Sequence, residues 1–162
     1  MKIVFKFVWI LFILVTLLNV FSLKKQLQVY IDEKPEREKG YNLIIKNFLI
    51  FGLTPWIIMG LGNLSGLTSS VFDYFRPADM KPIVLIFHAS IIIIWLALIR
   101  FVFFNNGAAF LADHPGIIRF NTFGKTTDNP SESAIKFFVI LAVLGGVFGM
   151  IMMWIVEIPP IQ

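Results

Sequence analysis

Residues 82–104 read PIVLIFHASIIIIWLALIRFVFF. One charge, Arg100, stands near the end of this run, and one imidazole, His88, sits about two turns inside it. A bilayer core takes roughly 20 mostly apolar residues per helix, so the stretch spells a membrane span. Three further stretches qualify: Ile3 to Leu23, Leu43 to Leu64 and Ala134 to Ile158. The first is interrupted only by Lys6, Thr16, Asn19 and Ser22.

The bulk numbers agree. Of the 162 residues, 57% are hydrophobic and 15% charged, with 18 Phe; an ordinary soluble domain carries about 25% charged residues. A small water-soluble globule has too much surface for its volume to hide that much apolar area. A soluble enzyme domain, a disordered tail and a disulfide-stapled module are therefore excluded. The expected fold is all-α: an integral membrane four-helix bundle with a kinked second helix and short interfacial helices in the loops, one transmembrane domain over residues 1–162. The first span, though it begins with lysines, has an apolar run longer than that of a secretory signal and no small-residue cleavage site before Lys24. It reads as a retained helix.

The chain has no cysteine. That removes thiol chemistry, Cys-ligated zinc and iron–sulfur clusters. The net charge is +4, from basic residues that are scattered rather than gathered in one stripe. In a membrane protein this is the Lys/Arg bias of cytoplasmic loops, not a nucleic-acid surface. Lys24, Lys25, Lys34, Arg37, Lys39, Lys46, Arg100, Arg119, Lys125 and Lys136 fall in or beside the first and third loops. Only Lys2, Lys6, Arg76 and Lys81 fall at the other end. The positive-inside rule then places both loops in the cytoplasm and both termini outside a plasma (inner) membrane.

The loops carry their own signals. Pro35 interrupts the alternating charges Asp32 to Lys39, where Glu33 and Arg37 stand at the favourable i,i+4 spacing; the segment reads as solvated helix ends. Leu67, Val71, Phe72, Tyr74 and Phe75, followed by Arg76, suit a short interfacial helix at the headgroup layer. In the third loop, Ala108 to Asp113 reads as a short helix stopped by His114-Pro115-Gly116, with Ile117, Ile118, Phe120 and Phe123 as apolar anchors. Ser131 is the expected N-cap of the last span.

Few residues carry chemistry. In the second span, Gly52, Thr54, Pro55, Gly60 and Gly62 read as a kinked element able to line a cavity or act as a hinge, with Asn63 at its end. The carbonyl freed near Phe51 by Pro55 needs a donor, and Thr54 is at hand. His88 is the one histidine inside a span. A bis-His haem site needs a second imidazole at matching depth, and His114 lies in a loop beside a proline, so a hydrogen bond to a neighbouring helix, such as to Thr54, is the expectation. Ala142, Gly145, Gly146 and Gly149 form a small-residue face suited to close helix packing. Met150, Met152 and Met153 read as adaptable packing rather than a metal site. Asp113-His114 is the only acid–imidazole pair, and no metal-ligand or paired-carboxylate spacing accompanies it. Arg100 and Glu157 are expected to snorkel to the interface. The midplane is thereby left free of the acidic residue that proton- or sodium-coupled transport uses.

The reading is a small multi-pass membrane protein that is a non-enzymatic accessory or structural subunit, acting through helix packing with itself or other membrane subunits. The alternative is a homo-oligomeric channel or passive transporter lined by the kinked second span; a haem-binding or enzymatic protein ranks below both. The expected partner is the lipid bilayer, and no cofactor, metal or catalytic residue is assigned.

Overall fold

The structure, a computed structural model, describes residues 5–122, 125–128 and 130–156. Lys2, Phe123, Asn129, Glu157 and the ends of the first and last spans lie outside the described residues. Helix α1 is Val8–Glu33, α2 is Glu38–Leu64, α3 is Pro82–Ile99, α4 is the short Gly107–Ala112 and α5 is Glu132–Ile155. Among the described residues, four helices are long and apolar enough to cross a membrane. Leu18, Phe21, Ile93, Phe148 and Ile155 stand 62–70% exposed on them, a surface suited to hydrocarbon and not to water. The chain is a multi-pass membrane helix bundle.

The first break falls where the proline puts it. Lys34, ahead of Pro35, leaves the helical region at φ −139°, ψ 81°, as the residue before a proline is pushed to do. A 3-10 turn, Pro35–Arg37, then leads into α2. The two helices return antiparallel, matched step by step. Asn63 Nδ2 donates to the Lys6 carbonyl at 2.8 Å. Trp9 lies on Gly60. Phe12 stacks on Trp56 with ring centroids 4.2 Å apart, and the Thr16 methyl faces Gly52. Helix α2 runs unbroken through Pro55.

Arg37 does not pair with Glu33. Its guanidinium meets Asp113 of the third loop at 2.7 Å, because the 3-10 turn breaks the helical register that the i,i+4 pairing needs. Further bonds fasten the third loop to the tip of the first hairpin. Gln26 Nε2 donates to the Gly116 carbonyl at 2.6 Å, Tyr41 Oη to the Pro115 carbonyl at 3.0 Å and Tyr30 Oη to Asp128 at 3.0 Å. Loops one and three therefore share one end of the bundle. Residues 5–9 and the second loop share the other.

The loops depart from expectation in form. The second holds two 3-10 turns, Val71–Phe75 and Pro77–Asp79, in place of a surface helix. Val71 and Tyr74 are buried with Met59, Val84 and Phe87 rather than anchored in headgroups. Arg100–Phe104 is a π-helical turn, and Arg100 is exposed there. Helix α4 occupies the expected place before His114-Pro115-Gly116. Beyond it the chain forms a small antiparallel hairpin, β1 Phe120–Thr122 with β2 Lys125–Thr127, which the apolar pattern did not announce. Ser131 caps α5, accepting from the Ala134 amide at 3.3 Å.

Candidate functional site

The polar residues of the second and third spans converge at the end where the N-terminal helix begins. Asn63 is 1% exposed and His88 3%. They belong to one network, and Tyr74 joins them. Thr68 donates to Asn63 Oδ1 and lies 3.3 Å from the Tyr74 hydroxyl. That hydroxyl donates to the Met59 carbonyl at 3.1 Å, while the Tyr74 carbonyl is 2.9 Å from His88 Nε2. Burial pushes the Tyr74 phenol above its ordinary range; the Asp73 charge adds to this, although the Thr68 hydrogen bond works against it. The phenol stays a donor.

The expected bond from His88 to Thr54 is not made. Thr54 Oγ1 turns back on its own helix and donates to Ile50 at 2.8 Å, a hydroxyl habit in helices. It serves Ile50 and not the Phe51 carbonyl released by Pro55. Thr54 and Pro55 are thus separate from the Asn63–Tyr74–His88 network, while Gly60 sits beside it, closed by Trp9.

Asp73 fixes the loop that carries Tyr74. Its Oδ2 accepts from the amides of Ser69 and Ser70, at 2.6 and 3.2 Å, and from the Ser69 hydroxyl at 3.0 Å. Its Oδ1 accepts from Lys81 Nζ at 2.6 Å. Burial works to raise this carboxyl, and the Lys81 ammonium with the serine donors outweighs it, so the group lies below the usual carboxylate range. Thr68, Asp73 and Tyr74 were not singled out from the sequence as site residues. The signal available was Ser70-x-x-Asp73, a capping-box spacing, and the structure has that box.

Below the network lies an apolar cavity of about 340 Å³. Trp56, Tyr74, His88, Trp95, Gly149 and Met150 are among the residues that border it. The small-residue face of α5 divides here. Gly146 abuts Trp95, and a Cβ on it would stand 2.5 Å from the indole. Gly149 borders the cavity. A Cβ on Gly145 or Gly149 would meet nothing within 4 Å, and Ala142 is exposed. Apart from Ile135, no described residue of α5 is buried.

His114 is held at the opposite end. Its Nδ1 bonds the Phe110 carbonyl at 2.7 Å and its ring lies against Gly40 and Tyr41. Its neighbour Asp113 is engaged by Arg37. Among the described residues, no group of three or more His, Asp or Glu side chains is placed to hold a metal ion. No protein-family model matches the chain, and no curated protein or solved structure matches it.

Proposed function

We propose that this chain is a non-enzymatic membrane subunit that docks a partner helix on the Ala142–Gly145 side of α5. The carrying observation is the state of that helix. Its small residues make a flat strip, and the outward part of the strip has open space where a neighbouring backbone fits. Hydrocarbon gives helices little drive to associate, so close backbone approach at small residues is the usual source of affinity. The pore reading has less support. Thr54, Asn63 and His88, its polar lining, are engaged within the chain.

The test is assembly. The protein is purified in mild detergent and its mass measured with the detergent subtracted. A complex larger than one 18.5 kDa chain is expected, and the double substitution Ala142→Leu, Gly145→Leu reduces it to the single chain while the helical signal is kept. A wild-type protein that is a lone monomer in native-lipid discs, with no co-purifying partner, overturns the proposal. In the same reading both termini lie outside and the basic loops in the cytoplasm. The sharing of one end by loops one and three, which hold most of the basic residues, supports that orientation.

A further inference from the structure

The second and third spans part at the end that holds loops one and three. A cleft of about 540 Å³ lies between them, bordered by Leu43, Asn47 and Phe51 of α2, Ala97 of α3, Phe101 of the π-helical turn and Phe110 of α4. Gly107, at one end of α4, packs on the Phe101 carbonyl, and His114, just past its other end, lies on Gly40 of α2. Helix α4 therefore bridges the two spans and covers the cleft on the loop side. Leu43, Asn47 and Phe51 are exposed, so the cleft is reached sideways, from the bilayer.

Asn47 is the one polar side chain on this apolar wall. Its carboxamide makes no hydrogen bond among the described residues, whereas those of Asn42 and Asn63 are bonded. An accessible amide with no partner is costly against hydrocarbon. The register of the first hairpin fixes its depth. Phe12 faces Trp56, Thr16 faces Gly52, and Leu23 and Ile45 share a cluster with Leu27 and Tyr41. The same steps put Asn47 level with Phe21, about one turn inside Lys24 and Lys25. Those two cations are exposed and have no ion pair among the described residues; they belong at the headgroup layer. Asn47 thus stands at the border of the hydrocarbon, where the ester carbonyls of a phospholipid lie.

The charge at the cleft agrees. Arg100 stands one turn beyond Ala97, a spacing that makes the two neighbours on a helix surface. It is exposed and pairs with no acid among the described residues. A guanidinium suits a phosphate, and basic sites between membrane helices recognise anionic headgroups.

We propose that this cleft binds one anionic diacyl phospholipid, with an acyl chain along the apolar wall, an ester carbonyl accepting from Asn47 Nδ2 and the phosphate on Arg100. The site is independent of partner docking on the Ala142–Gly145 side of α5, and it takes the lipid from whichever leaflet loops one and three face.

The test uses the whole chain in a neutral detergent and native mass spectrometry, which counts bound lipids and chain copies together. The probes are dioleoyl phosphatidylglycerol, dioleoyl phosphatidylcholine and the dioleyl ether analogue of phosphatidylglycerol. Wild type is expected to hold one ester-linked phosphatidylglycerol about ten-fold more tightly than either of the others, the worth of one hydrogen bond or ion contact. Arg100→Gln is expected to level the two headgroups, and Asn47→Leu to level ester and ether. Ala97→Phe, which fills the cleft, is expected to weaken all three probes. Asn47→Leu and Arg100→Gln change exposed positions, so they keep the question decidable if Ala97→Phe fails to fold. Ala142→Leu, Gly145→Leu is expected to bind lipid as wild type does, which separates this site from partner docking. Equal affinity of wild type for ester and ether overturns the proposal, as does a headgroup preference that survives Arg100→Gln or lipid binding that Ala97→Phe leaves unchanged. A dimer lost in Ala97→Phe with lipid binding intact would give the cleft to a second copy of the chain and overturn it too.

Discussion

Trp9 and Gly60 face each other across the first two helices at a spacing that admits no side chain: a Cβ on Gly60 would stand 2.8 Å from the indole. The contact sits between the Asn63–Lys6 bond and the Phe12–Trp56 stack. Gly60→Ala is expected to destabilise the protein by about 1–3 kcal/mol, the usual cost of overpacking. Gly145→Ala, which enters open space within the chain and replaces glycine by a better helix former, should not destabilise it. Unfolding by a denaturing detergent, followed by far-UV circular dichroism, compares the two, and equal effects would contradict the packing described.

Asp73 gives the second loop a pH limit. Its carboxyl is held below the usual range in the folded protein, with 3.8 as its ordinary value. For such a group the stabilisation is complete above the unfolded value and is lost as pH falls through the folded one. The melting midpoint should therefore be insensitive to this group from pH 7 to about pH 5 and should drop as the pH passes below about 4. Asp73→Asn should be less stable at neutral pH by about 1.5–3 kcal/mol, the range for hydrogen bonds to a charged group, and should lose part of the acid-side slope. A variant with the wild-type acid limb would show that other carboxylates set it.

Gly40 leaves room for an imidazole. A Cβ there would fall on the His114 ring. Gly40→Ala should push His114 out and loosen the third loop, seen as faster amide exchange over residues 110–119. Adding His114→Ala should restore much of the protection, because the obstruction then has nothing to strike; the double-mutant cycle measures that coupling. Additive effects of the two substitutions would refute it.

The orientation proposed above is checked by labelling. The chain has no cysteine of its own. Single substitutions Ala78→Cys and Lys34→Cys lie at exposed positions on opposite ends of the bundle. In intact cells a membrane-impermeant maleimide should modify the first and reach the second only after permeabilisation. The reverse pattern would invert the topology.

The spans were legible because a run of apolar residues long enough for a bilayer has few other meanings. Pro35 and Ser131 were legible because each acts on its own neighbours: one removes a helical conformation and an amide, the other offers a hydroxyl three residues ahead. The partner of His88 was not legible. It is a main-chain carbonyl, at Tyr74 in a loop, and every residue owns a carbonyl, so side-chain identity carries no mark of it. Val71 and Tyr74 misled for a related reason. Aromatic and aliphatic loop residues suit headgroups and a protein interior equally well, and only the crossing of the helices decides between them. Arg37 had an acid in register at Glu33, and the 3-10 turn sent it to Asp113, 76 positions away.

The ties from Gln26, Tyr30, Arg37 and Tyr41 to the segment Asp113–Asp128 also impose an order in time. Chains emerge from the ribosome amino end first, so the hairpin tip exists before the residues that clasp it are made. The clasp can close only once that later segment has emerged, and its closing then bears on where the final helix settles. Damage to the tip should therefore surface as a misplaced last helix in a protein whose first two are sound.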